Sequence, residues 1–94
     1  MNPVAIAITP NSRTVYVVNS GNNTVTPIAT ATNRPGRPIG VGIIPDAIAI
    51  TPNGLTAYVA NLDSNTVTPI STATNRAGRA IGVGIHPDAI AITP

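Results

Sequence analysis

The 94-residue sequence has no Cys, Trp, Phe, Lys, Glu or Gln, and only one Met, two Tyr and two Leu. Without cysteine there is no disulfide framework and no thiolate site, and a single His excludes a multi-histidine metal cluster. Nothing implies a cofactor. Charge is scarce as well: five Lys+Arg, all of them Arg, stand against three Asp+Glu, for a net +2. The charged share is 9%, against roughly 25% in an ordinary soluble domain. No apolar run approaches the ~20 residues of a membrane helix, which argues against a membrane partner. Asn, Pro, Ser and Arg fill residues 2–13 where a signal peptide would carry an apolar core. What remains is Ala, Val, Ile and Thr, punctuated by ten Pro, eight Gly and ten Asn. Strong helix formers are nearly missing while β-branched and turn residues abound, so an all-β chain is expected. Its 43% hydrophobic content is too high for a disordered chain. Apolar surface must therefore be covered by something.

An internal repeat organises the chain. Pro3, Pro45 and Pro87 each open a segment (Val/Asp)-Ala-Ile-Ala-Ile-Thr-Pro, at a spacing of 42 residues. Residues 3–42 and 45–84 differ at eleven of forty positions, and the changes are mostly small for small or fall in turns. The expected organisation is one repeat over 1–42, a second over 43–84, and the first strand of a third over 85–94. A period near forty residues points to a solenoid or a propeller.

Turn residues cut each copy into four short strands. In the second copy these are Ala47–Thr51, Thr56–Ala60, Thr66–Ile70 and Ile81–Ile85. Pro52-Asn53-Gly54 marks a hairpin, and Pro69 belongs at an edge or bulge because it has no backbone donor. Ile48 and Ile50 alternate with Ala47 and Ala49, so both faces of this strand are apolar. A half-exposed sheet would alternate apolar with polar; these sheets need cover on both sides. An Ile face packing on a neighbour's Ala face is the way four-stranded blades stack around a propeller axis.

Tyr16-Val17-Val18-Asn19 and Tyr58-Val59-Ala60-Asn61, with the preceding Pro45-Asp46-Ala47-Ile48-Ala49-Ile50-Thr51-Pro52-Asn53-Gly54, resemble the repeat of the YVTN β-propeller family. Val18 and Ala60 stand where that motif has Thr, and Val4 stands where the second and third copies have Asp46 and Asp88. The resemblance implies blades, often in secreted or surface proteins, and its wider kin include lactonases and a lyase. It specifies a blade, not a chemistry. The expected fold is therefore all-β, with propeller blades of four antiparallel strands, two per chain, completed by homo-oligomerisation.

Closing a ring takes roughly four to eight blades. Two blades left alone would expose two apolar faces on a chain with little charge, so the expected partner is the chain itself. A ring of three or four copies, or a head-to-tail filament in which the terminal strand is donated, would satisfy this. Near-identical copies and a strand beginning directly after Met1 are also expected of an excised or designed fragment.

Two groups of residues are candidates for binding. Asp46, His86 and Asp88 fall where one blade returns to the next, a mouth that could hold a ligand or cation. The plainer account is a Pro-Asp turn whose carboxylate caps backbone N–H groups. Arg34, Arg37, Arg76 and Arg79 are expected in the loops between third and fourth strands, on the opposite face, as a rim able to attract anions or simply to solvate the surface. No aromatic residue interleaves with them, so nucleic acid is not an expected partner. Tyr16 and Tyr58, flanked by apolar residues, are expected in the core with one hydroxyl partner each. Gly40-Val41-Gly42 and Gly82-Val83-Gly84 lack the following helix and Lys of a phosphate loop, and suit closely approached outer strands. No Ser/His/Asp set is apparent, so no catalytic residue and no enzyme activity are expected.

Overall fold

The computed structural model describes residues 2–93. Met1 and Pro94, the outer ends of the first and last repeat segments, lie outside the described residues. The first sheet contains β1 (Pro3–Ile8), β2 (Thr14–Asn19), β3 (Thr24–Ala29) and two short pieces, β4 (Arg34–Pro35) and β5 (Ile39–Gly40). The second repeats it as β6 (Pro45–Ile50), β7 (Thr56–Asn61), β8 (Thr66–Ser71), β9 (Arg76–Ala77) and β10 (Ile81–Gly82). Each sheet runs in sequence order from an inner strand to a broken outer one, and every pairing is antiparallel. The ladders match at the repeat spacing, with Tyr16 opposite Pro27 and Tyr58 opposite Pro69. Among the described residues no helix is long and apolar enough to cross a membrane.

The hairpin after each inner strand is held by its asparagine. Asn53 Oδ1 accepts from the Thr51 hydroxyl at 2.6 Å and from the Leu55 N–H at 3.0 Å. Asn11 does the same for Thr9 and Arg13. This side-chain turn needs a left-handed residue next, which Gly54 supplies at φ 75° without steric cost and Ser12 supplies at φ 62°.

The fourth strand departs from its expected position. Instead of running unbroken over Ile81–Ile85, it is built from Arg76–Ala77 and Ile81–Gly82, both paired with β8. Pro69 accounts for the break: with no N–H to offer its outer neighbour, it can only accept, and the Gly78 N–H donates to its carbonyl at 2.7 Å. The chain bows outward between Ala77 and Ile81 and rejoins the ladder. Pro27 and Gly36 form the same break in the first sheet, also at 2.7 Å.

The two sheets stack face to face as expected of neighbouring blades. Tyr16, Val18, Val25 and Ile39 from the first meet Ala57, Val59 and Ile70 from the second, and all seven are buried. Ile48 and Ile50 on β6 pack against this cluster alongside Ala5 on β1, so a large face meets a small one. Residues 87–93 enter no ladder; Ile90 and Ile92 are half-buried while Ala89 and Ala91 are exposed.

Candidate functional site

Asp46 lies at the start of β6 where the β6–β7 register slips between Pro45 and Ala47. This bulge takes it out of the ladder. Its Oδ1 is enclosed and accepts no hydrogen bond among the described residues, so the expected cap of neighbouring N–H groups is not formed by that oxygen. Burial first, and then the Asp88 carboxylate, push the Asp46 carboxyl above its ordinary pKa, while its own backbone N–H pulls it partly back. His86 is exposed in the left-handed region at φ 54°, and its backbone N–H donates to Asn65 Oδ1 at 3.0 Å. Ile44 makes the same bond to Asn23 at 2.9 Å one repeat earlier, so a backbone role explains this position. Among the described residues no three His, Cys, Asp or Glu side chains gather as a metal site.

The arginines are arranged differently from a simple loop rim. Arg34 and Arg76 lie on the short strands β4 and β9 rather than in loops, because the outer strand starts earlier than the sequence suggests. Arg37 occupies the outward bow of the first blade, and Arg79 that of the second. Arg37 and Arg76, from different blades, line one crevice of about 390 Å³ with Thr74 and Asn75. Arg34 lines a neighbouring crevice. None of these crevices gathers all four. Arg13, which the sequence does not single out, lines a further crevice of about 370 Å³ between the Asn11 and Asn53 turns.

The contacts that join the blades carry the sharpest geometry. The Tyr16 hydroxyl donates to Asn75 Oδ1 at 2.6 Å, across 59 residues. Burial raises the Tyr16 phenol pKa above its ordinary value. At the mouth, the Gly42 N–H donates to Asn61 Oδ1 at 3.1 Å, and the Leu62 N–H donates to the Ile44 carbonyl at 2.9 Å. Asn61 is fully buried, and its amide donates to Thr68 at 2.8 Å and Thr66 at 3.2 Å. Sequence reasoning missed the role of Asn75, although the identity of Asn33 with Asn75 alongside Tyr16 with Tyr58 was a signal for it.

Neither a protein-family model nor a curated protein sequence matches the chain. Solved structures do. Hydrazine synthase of Kuenenia stuttgartiensis superposes with a TM-score of 0.94 at 29% identity, over 98% of this chain and 26% of that one. The RRP9 WD40 repeats superpose at 0.80 with 13% identity, over 96% of this chain and 29% of that one. Apo AztD from Citrobacter koseri superposes at 0.75 with 15% identity, over 93% and 25%. The fold is β-propeller-like. The chain spans under a third of the length of each of these proteins, and the likenesses below a quarter identity speak for the fold alone.

Proposed function

We propose that the chain is a two-blade unit of a YVTN-type propeller whose role is assembly: a structural, self-associating scaffold without catalysis of its own. One observation carries this reading. The apolar residues on the open face of the first blade are repeat equivalents of residues buried or partly buried between the blades. On the first blade, Ile6, Ile8, Val15, Val17 and Ile28 stand where Ile48, Ile50, Ala57, Val59 and Ile70 stand on the second. Ile6 is 67% exposed and Ile8 53% exposed. Single-chain proteins rarely leave such contiguous apolar surface bare, and the scarcity of charge gives it no solvating rim. Tyr-Val-Val-Asn and Tyr-Val-Ala-Asn on β2 and β7 support the YVTN assignment. The likeness to about a quarter of hydrazine synthase supports a propeller-like fold and brings no reaction with it.

Native mass spectrometry of the 94-residue chain tests the reading. Three or four copies, giving six or eight blades, or a ladder of head-to-tail species, are the expected masses. A folded single chain at every concentration would overturn it.

A second reading is a binding module, favoured by the shared crevice of Arg37 and Arg76. Two guanidinium groups on one crevice suit a phosphate or carboxylate. Calorimetry with inorganic phosphate should then give heat that Arg37→Ala and Arg76→Ala each abolish; absence of heat removes this reading.

A further inference from the structure

We infer that a second copy of this chain docks on the open face of the second blade through two residue pairs that one chain carries unmatched: Gly84 with Asn19 of the copy, and Tyr58 with Asn33 of the copy. The inference rests on the assembly reading and specifies its contact.

The template lies within the chain. At Gly42 a Cβ would come within 2.5 Å of Ser64 Oγ and 2.6 Å of Asn61 Cγ, so only glycine admits the approach that lets its N–H reach Asn61. Gly84 is the same residue one repeat later, yet a Cβ there would meet nothing within 4 Å. Among the described residues nothing requires glycine at 84. Asn19 is the equivalent of Asn61, and its amide donates to Thr24 and Thr26 as that of Asn61 donates to Thr66 and Thr68. Its Oδ1 is set as Asn61 Oδ1 is set, but no Gly42-like amide reaches it among the described residues.

The tyrosines repeat the pattern. Tyr16 is 1% exposed and bonded to Asn75, whereas Tyr58 is only half-buried and Asn33 is exposed, with no counterpart bond for either among the described residues. The crevice that Asn75 enters beside Thr14, Pro27 and Gly36 is about 180 Å³. Its counterpart beside Thr56, Pro69 and Gly78 is about 510 Å³ and has no asparagine from a following blade. Asn33 of a copy fills that place. Continuity with the contact between the blades selects the occupant: the copy's leading face is the 42-residue equivalent of the face already buried there.

One overlap follows. Residues 87–93 and the copy's β1 are equivalents and compete for one position. The copy's β1 is already laddered to its own β2 from Pro3 to Ile8, so the copy keeps its strand and residues 87–93 give way. In the single chain they act as a removable cover over the second blade.

Sedimentation equilibrium on the full-length chain and its variants tests this. Gly84→Ala should weaken association roughly tenfold or more, since the added methyl meets Asn19, while the thermal midpoint at low concentration stays unchanged. Tyr58→Phe should weaken it about fivefold. Asn33→Gly, chosen because residue 33 has φ 57°, should do the same. The double variant should lose no more than either single one. Ile90→Asn with Ile92→Asn should loosen the cover and tighten association; weakening instead would mean that residues 87–93 are donated, overturning the displacement. A wild-type chain that assembles but ignores Gly84→Ala and Tyr58→Phe overturns the pairing and leaves assembly standing. A wild-type chain that never assembles overturns both.

Discussion

The buried and open faces of this molecule are made of nearly the same residues and behave differently. Ile70 on β8 is fully buried between the blades, while Ile28 on β3 is half-exposed on the far side of the first blade. Ile48 and Ile50 pack into the core, while Ile6 and Ile8 face outward. The side chains are identical, so the difference is made by a neighbour and not by sequence. A residue's contribution in a repeat protein is set by whether the next repeat is present.

The sharpest way to break the comparison is to cut the same side chain on each face. Ile70→Ala removes buried methyl groups and leaves a cavity, and should cost about 2–5 kcal/mol in chemical denaturation. Ile28→Ala, measured on dilute single chains, should cost less than about 1.5 kcal/mol because half of its surface is already in water. Equal losses would show the two faces to be equally covered. Next in size, Gly42→Ala forces a methyl into Asn61 and Ser64 and should cost about 1–3 kcal/mol of stability. Gly84→Ala should stay within about 0.5 kcal/mol on the same assay. Smaller again, Tyr16→Phe removes the bond to Asn75 and should lose about 0.5–1.5 kcal/mol, with Tyr58→Phe close to neutral in the single chain.

The smallest effect is electrostatic and sets the mouth of the second blade against that of the first, where Val4 replaces the aspartate. The folded-state pKa of Asp46 is raised, by burial and then by Asp88, so the folded chain holds its proton more tightly than the unfolded one. Protonation therefore favours folding: the associated stability is present below the unfolded carboxylate range and is lost as pH rises through the raised value. Lowering pH from neutral toward 4 should raise the thermal midpoint slightly through this group. Asp46→Asn should flatten that dependence, and Asp88→Asn should reduce it. An unchanged pH profile in Asp46→Asn would remove Asp46 as its source.

Much of the fold was legible because its signals are local. The 42-residue period, the Asn11 and Asn53 turns and the Ile/Ala alternation of β1 and β6 each follow from neighbouring residues. The outer strand was not legible. Arg76-Ala77 and Ile81-Gly82 are two-residue pieces, too short to show a strand period, and their separation depends on the carbonyl of Pro69 in another strand. The site was less legible. The repeat puts Asp46 and Asp88 at equivalent positions, but the enclosed setting of Asp46 Oδ1 depends on a register slip between strands and on the packing around it. The Tyr16–Asn75 bond joins residues 59 apart and needed the stacking of two sheets to exist.

The most direct test of the central claim, that the open faces are completed by copies of the chain, is the sedimentation-velocity mass of the 94-residue protein across a dilution series. The account predicts a multiple of the single-chain mass at high concentration that falls toward the single chain on dilution, with association weakened by Gly84→Ala. A cooperatively folded single chain throughout the series would contradict it.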